Sequence, residues 1–438
     1  MEYWALAMFL VAVLALMLGY PVAFTLGSVA LAFGAMFLGI DFFTLLPLRI
    51  WGIVTNFTLL AVPLFIFMGV VLEKSGLAEE LLETMGRLFG RLRGGLALSV
   101  VAVGALLAAT TGVVGATVVT MGVIALPAML KHRYQPELAT GTIAAAGTLG
   151  QIIPPSIVLI LLGDVLGVPV GQLFMAAVVP GCLLILLFAV YIALTSWRHA
   201  DRAPAVQHVD GQSHLATKVI TSLLPPLALI VAVLGSIFFG IASPTESAAV
   251  GGIGAIILAA LHRRLSWAQL REAVQQTTQL TSMVFLILIG ATAFGLVFRG
   301  MGGDTLVHDL MTSLPGNKWG FVAASMLLIF LLGFFLDFLE ICFIVVPIIG
   351  PIASFLGLDL LWFATLIALN LQTSFLTPPF GFSLFYLKSV SPESITIQHI
   401  YRGIVPFVLL QLAALVLIVT KPGLVQWLPD MMEMLQGP

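Results

Sequence analysis

Long apolar stretches separated by short polar breaks run through the whole chain. In the first half they fall near 4–18, 21–40, 51–72, 95–130, 139–165 and 171–196. After a polar connector at 197–217 they return near 218–241, 245–261, 278–298, 319–352, 361–388 and 400–420. About 20 apolar residues in a helix cross roughly 30 Å of hydrocarbon, so this pattern predicts a polytopic, all-α membrane protein. Between the third and fourth stretches of each half lies a short amphipathic segment, 78–93 and 303–314. The first carries Glu79, Glu80 and Glu83 early and Arg87 and Arg91 late, the order a helix dipole favours, and it suits the membrane surface.

The two halves share a register. Gly27 and Gly251, Gly76 and Gly300, Pro127 and Pro351, and Pro154 and Pro378 are each 224 residues apart. The last of these opens a proline pair in both halves, in Gly150-Gln151-Ile152-Ile153-Pro154-Pro155-Ser156 and Ser374-Phe375-Leu376-Thr377-Pro378-Pro379-Phe380-Gly381. Two consecutive prolines remove two backbone donors and clash with the preceding turn, so a helix stops there. Inside a bilayer, broken backbone is tolerated only where protein or a polar cavity covers it. Helices broken at corresponding points of two repeats point to a transporter's binding site, whereas a single pair is also compatible with a simple kink.

The stretch 95–130 is too long for one crossing and holds no charged residue. Its centre, Ala108-Ala109-Thr110-Thr111-Gly112-Val113-Val114-Gly115, lacks a polar anchor for a surface loop and reads as the tip of a re-entrant hairpin. The matching stretch 319–352 has its tip near Phe335-Leu336-Asp337-Phe338-Leu339-Glu340. Two ordinary spans joined by a tight turn would fit the same residues. Either way each half has an odd number of crossings, which makes the halves inverted. The basic residues agree: fourteen of the 18 fall on one side, and only Arg49, Arg299, Lys318 and Lys421 on the other. By the positive-inside rule the N-terminus then lies outside the cytoplasm.

Composition narrows the class further. Sixty per cent hydrophobic and 9% charged residues exclude an ordinary soluble domain. Cys182 and Cys342 sit in apolar segments and read as small buried hydrophobes rather than a disulfide or metal site. The opening Met1-Glu2-Tyr3-Trp4 has no basic region, so the first stretch reads as a span rather than a signal peptide. No phosphate-binding loop occurs among the six lysines, which argues against an ATP-driven pump. An intramembrane protease is poorly supported as well, because the aspartates lack its usual motifs and no histidine falls in an apolar span.

Several residues could carry chemistry. The break at Pro154-Pro155 leaves the carbonyls of Gly150 and of Gln151 to Ile153 without helical partners, and together with the hydroxyls of Thr110 and Thr111 beside Gly112 they offer neutral oxygens for a bare monovalent cation. The second break offers Ser374, Thr377, Pro378 and Phe380. Intramembrane carboxylates are costly and usually functional, which singles out Asp337 and Glu340 at the second tip; a tip that reaches water would merely solvate them. Spaced i, i+3, they would share a helix face. Arg299 ends an apolar helix, where it either captures a carboxylate in bidentate fashion or anchors the helix at the interface. Glu246, in Ser243-Pro244-Thr245-Glu246-Ser247, reads as a helix-start device, and Asp164 as the return of the first broken helix to water.

Taken together, these residues resemble the large membrane subunit of the tripartite ATP-independent periplasmic (TRAP) transporters, in the wider ion-transporter superfamily. The resemblance spans nearly the whole chain. It rests on Pro63-Leu64-Phe65-Ile66-Phe67-Met68-Gly69, Arg93-Gly94-Gly95-Leu96-Ala97, Ala144-Ala145-Ala146-Gly147, Pro180-Gly181, Pro244-Thr245-Glu246-Ser247-Ala248-Ala249-Val250-Gly251 and both proline-pair motifs. It implies an elevator-type fold of two inverted repeats, each with scaffold helices, an arm helix, a re-entrant hairpin and a broken helix.

On this chain the first repeat spans 1–196: scaffold 1–73, arm 74–94, hairpin 95–131, broken helix 139–165 and closing helix 171–196. The second spans 218–420: scaffold 218–298, arm 299–318, hairpin 319–352, broken helix 361–388 and closing helix 400–420, with a tail at 421–438. The resemblance further implies Na⁺ as coupling ion, a small membrane subunit of about four helices, a periplasmic substrate-binding protein, and a small organic acid as cargo. The setting it implies is a bacterial inner membrane with the N-terminus periplasmic, with no organic cofactor and no nucleic acid. One sodium site falls on Thr110, Thr111, Gly112, Gly150, Ile153 and Pro154. The other falls on Asp337, Ser374, Thr377, Pro378 and Phe380, with Arg299, Asp337 and Glu340 toward substrate.

Threonines stand at the first tip where many members have serines, and the second tip has an added acid. With Asn370-Leu371-Gln372-Thr373-Ser374-Phe375, this resembles the branch linked to 2-oxo acids or to mannitol and chloroaromatic compounds. A self-sufficient sodium- or proton-coupled carboxylate transporter of the same superfamily is the alternative.

Overall fold

A computed structural model describes residues 2–112, 114–205 and 215–436, and among these there are helices and turns but no strand. The first half contains α1 (Glu2–Met17), α2 (Val22–Phe37), α3 (Leu46–Val54), α4 (Ala61–Lys74), α5 (Leu77–Phe89), α6 (Gly95–Thr111), α7 (Val114–Lys131), α8 (Pro136–Thr148), α9 (Ile157–Leu166) and α10 (Val170–Arg198). The second half contains α11 (Leu215–Phe238), α12 (Pro244–Leu261), α13 (Trp267–Gly300), α14 (Gly303–Thr312), α15 (Lys318–Leu332), α16 (Phe338–Glu340), α17 (Val346–Phe355), α18 (Leu360–Leu376), α19 (Phe382–Val390), α20 (Ile397–Thr420) and α21 (Gly423–Gln436). Among the described residues, seven helices are long and apolar enough to cross a membrane unaided.

Local chemistry accounts for many boundaries. Ser243 and Glu246 form a reciprocal capping box at the start of α12, so Glu246 is the helix-start device its sequence suggested. Ser266 with Gln269 does the same for α13, and Asp359 accepts from the first backbone donors of α18. The stretch expected at 278–298 is part of a single 34-residue helix. Its first-half counterpart is split into α3 and α4, with a 55° bend between 54 and 58. Cys342 is buried as expected, but Cys182 is exposed, because it faces outward from α10.

The two halves pack as a reciprocal pair. Helix α2 lies on α13 while its counterpart α12 lies on α4, α8 lies on α20 while α18 lies on α10, and α5 lies on α11 while α14 lies on α1. Such swapped contacts are the mark of a two-fold relation between repeats, as in an isologous interface. Thr148 and Gln372, 224 positions apart, meet each other: the Gln372 amide Nε2 donates to the Thr148 hydroxyl at 3.5 Å. A residue can touch its own counterpart only near the axis, so this pair marks where the halves turn into one another.

Candidate functional site

The two proline pairs end α8 and α18, and in each half the chain resumes as a second short helix, α9 or α19. Both prolyl–prolyl bonds are cis. A serine after each break takes up an equivalent carbonyl. Ser156 Oγ donates to the carbonyl of Gln151 at 2.9 Å, and Ser383 Oγ donates to that of Phe375 at 2.8 Å. The sequence suggested that the Gln151 carbonyl stays free; the Ser156 hydroxyl, five residues on, satisfies it.

Each break is met by the hairpin of its own half. In the first, α6 and α7 turn at Gly112, whose φ of 60° lies in the left-handed region that glycine tolerates best. A Cβ there would stand 3.3 Å from the backbone nitrogen of Ile157, the first residue of α9. Gly150 faces the other side of the same hairpin, where a Cβ would meet the Ala108 backbone at 3.5 Å. Thr110 is buried and its hydroxyl donates to Leu107 O at 2.8 Å. Pro154 is buried and Ile153 half-buried, so the tip, Gly150 and the proline break form one enclosed cluster. The Thr111 side chain and Val113 lie outside the described residues.

In the second half, Gly333 ends α15 against Ser374, so closely that an added Cβ would fall 2.8 Å from the Ser374 Cβ. Phe335 packs its ring 5.2 Å from that of Phe380, and Phe338 packs 6.5 Å from Phe375. Asp337 sits between these two aromatic bridges and is thereby held against the break. Its Oδ1 accepts from Phe338 N at 2.7 Å, while Glu340 Oε2 accepts from the Asp337 backbone nitrogen at 3.1 Å. The two acids thus form a capping box that starts the second arm, a structural task beside any ligand role. The arm then runs as a π-helical turn over Ile341–Val345, a feature often found at functional sites. Ser374 and Thr377 each donate a hydroxyl to their own helix, at 2.9 and 2.7 Å. Thr377 and Pro378 are half-buried and Phe380 is exposed, so the second break is more open than the first.

Arg299 goes elsewhere. It lines a cavity of about 520 Å³ together with Arg49, Asn56, Asp164, Phe343 and Pro347, while Asp337 and Glu340 do not line it. Asp164 does not simply return to water: its Oδ1 accepts from the Asn56 amide at 2.6 Å, joining α9 to the bend between α3 and α4. The sequence marked Arg49 only as one of four basic residues on its side of the membrane and did not mark Asn56, because neither falls in a recognisable motif. A second, divided cleft of about 720 and 360 Å³ opens beside the first hairpin. Glu73 and Val119 line both parts, and Glu73 accepts from the Thr120 hydroxyl at 3.2 Å. The two clefts are counterparts in the repeat: Gly52, Asn56, Phe343 and Pro347 of one correspond, at offset 224, to Gln276, Leu280, Val119 and Val123 of the other. Each separates a hairpin arm from the helices around it.

Residues 8–424 match the family described as "Tripartite ATP-independent periplasmic transporter, DctM component". The chain is 30% identical over 394 residues to the C4-dicarboxylate TRAP transporter large permease protein DctM of Pseudomonas aeruginosa, covering 89% of this chain and 90% of that one. It is 30% identical over 412 residues to the isethionate TRAP transporter permease protein DctMQ of Oleidesulfovibrio alaskensis, covering 93% of this chain and 64% of that protein. Its fold is similar to the solved structure of the Alcanivorax borkumensis YdaH transporter, with a TM-score of 0.67, 16% identity, and coverage of 94% and 98%.

Proposed function

The chain belongs to the DctM component family of the tripartite ATP-independent periplasmic transporters, and from that premise we propose that it imports a small organic acid by a Na⁺-coupled elevator movement. The observation that carries this reading is the paired geometry, in which each proline break is met by the hairpin tip of its own repeat. Main-chain and hydroxyl oxygens without formal charge suit a bare monovalent cation. The first ion site is assigned to Thr110, Thr111, Gly112, Gly150, Ile153 and Pro154, and the second to Asp337, Ser374, Thr377, Pro378 and Phe380.

Two clefts at counterpart positions support alternating access, since a body held between them can close one as it opens the other. In this reading the hairpins and broken helices move together against α1–α4 and α11–α13. The Asn56–Asp164 and Glu73–Thr120 contacts then cross the sliding boundary. The N-terminus is periplasmic, in a bacterial inner membrane. A small membrane subunit and a periplasmic substrate-binding protein complete the system. The relative from Oleidesulfovibrio supports a physical tie to a further membrane part, since it extends well beyond the region this chain matches.

The cargo is read as a carboxylate or similar organic anion, in keeping with the dicarboxylate and isethionate named for the relatives. Asp337 and Glu340 at the second tip order that cargo and its ion, and Arg299 meets it. The test is uptake into proteoliposomes holding this chain, its small subunit and its binding protein, with succinate, isethionate and pyruvate as probes. Uptake of at least one probe should require an inward Na⁺ gradient and the binding protein. Uptake indifferent to Na⁺ refutes the coupling, and uptake that needs no binding protein points to the self-sufficient carrier instead.

A further inference from the structure

The positive-inside distribution leaves only four basic residues on the periplasmic face, and two of them, Arg49 and Arg299, line the same cavity. Neither guanidinium has a hydrogen-bond or ion-pair partner among the described residues. The repeat does not account for them: their counterparts 224 positions away are Ala273 and Ser75, which carry no charge; Ser75 lines the opposite cleft, and Ala273 a small pocket beside it. The Asp164 carboxylate in the cavity is tied to the Asn56 amide rather than to either arginine. In the opposite cleft two of the three cations are engaged among the described residues, Arg263 being the exception, and Glu73 and Glu79 line it as well. Lys74 pairs with Glu272, and Arg264 with Glu80 and the Gly76 carbonyl.

We propose that the cavity bearing Arg49 and Arg299 is an outer vestibule that collects organic anions, the two guanidiniums binding a carboxylate or sulfonate before it reaches the hairpin site. This rests on the transporter reading above, in which that face is periplasmic. About 520 Å³ falls in the usual range for small-ligand pockets. A guanidinium offers a planar fork that matches a carboxylate in bidentate fashion. With two arginines against the single Asp164 carboxylate the cavity is net positive, and a cleft with an excess of one sign concentrates the opposite ion, raising its local concentration and arrival rate by about tenfold. The asymmetry gives direction: the arginines facing incoming cargo are both unpaired, whereas Lys74 and Arg264 on the side of release are tied to carboxylates.

The experiment uses Leu296→Cys, an apolar lining position, in a Cys182→Ser background that keeps the buried Cys342. In right-side-out spheroplasts the anionic sulfonatoethyl methanethiosulfonate should label it about tenfold faster than the cationic trimethylammonium reagent, after correction for their rates with a free thiol. Arg49→Gln with Arg299→Gln should abolish that preference, Arg49→Lys with Arg299→Lys should retain it, and millimolar succinate or isethionate should slow the labelling. Equal corrected rates, or a preference that survives the double glutamine variant, overturn the proposal. Labelling only in inverted vesicles overturns the orientation it rests on. A preference seen in phosphatidylcholine vesicles but lost when phosphatidylglycerol is added assigns the arginines to lipid headgroups and also overturns it. Charge-selective labelling in a protein whose uptake ignores Na⁺ leaves the vestibule standing and refutes only the coupling.

Discussion

Gly333→Ala probes the contact between a hairpin tip and its broken helix. The backbone at Gly333 has φ −64°, so alanine brings no conformational penalty and the effect is steric. Its methyl would lie 2.8 Å from the Ser374 Cβ and 3.2 Å from the Ile329 carbonyl oxygen. Carbon pairs prefer about 3.5–4.0 Å, so the tip and Ser374 must part by roughly an ångström. Overpacking of this kind costs about 1–3 kcal/mol. If Na⁺ binds across that contact, part of the cost appears as lost ion affinity, at about tenfold for each 1.4 kcal/mol. The assay is thermal unfolding of the purified protein against NaCl, with choline chloride holding ionic strength constant, because a ligand of the folded state raises its stability as its concentration exceeds Kd. We expect a lower melting temperature and a Na⁺ midpoint shifted up by about tenfold. A lower melting temperature with an unchanged Na⁺ midpoint refutes the ion site at this tip. No change in either refutes the contact itself.

Further outcomes follow from the same geometry. Thr377→Ala and Asp337→Ala should each weaken Na⁺ activation of uptake while the protein stays folded, and wild-type activation would remove them from the site. Ser156→Ala strands the buried Gln151 carbonyl and should cost about 1–3 kcal/mol, read as a lower melting temperature in the absence of Na⁺. Asp164→Asn keeps the shape but weakens the 2.6 Å bond from Asn56, a charge-assisted contact of about 1.5–3 kcal/mol. It should speed labelling of Leu296→Cys by loosening the cavity wall, and an unchanged rate would show that the contact does not hold the boundary.

The one-dimensional pattern determined that the chain is an all-helical, multi-pass membrane protein, where two of its helices break, and that its register is doubled. Those properties depend on local chemistry: the length of apolar runs, the missing donors of Pro154-Pro155 and Pro378-Pro379, and a register repeated at one offset. It also located both hairpin tips, since small residues around Gly112 and the acids at Asp337 and Glu340 interrupt otherwise uniform apolar stretches. Pairing across the fold was a different matter. That Phe335 and Phe338 of the second tip meet Phe380 and Phe375 depends on how the hairpin folds back on its broken helix, and that the Gln151 carbonyl is satisfied depends on where the chain resumes after the break. Arg299 shows the limit most clearly. Its position at a helix end was readable, but its neighbour Arg49 lies 250 residues away, and only the packing of α3 beside α13 brings both to one cavity. Periodicity reports which face of a helix is apolar, whereas the identity of the helix opposite is fixed by the two-fold packing of the repeats.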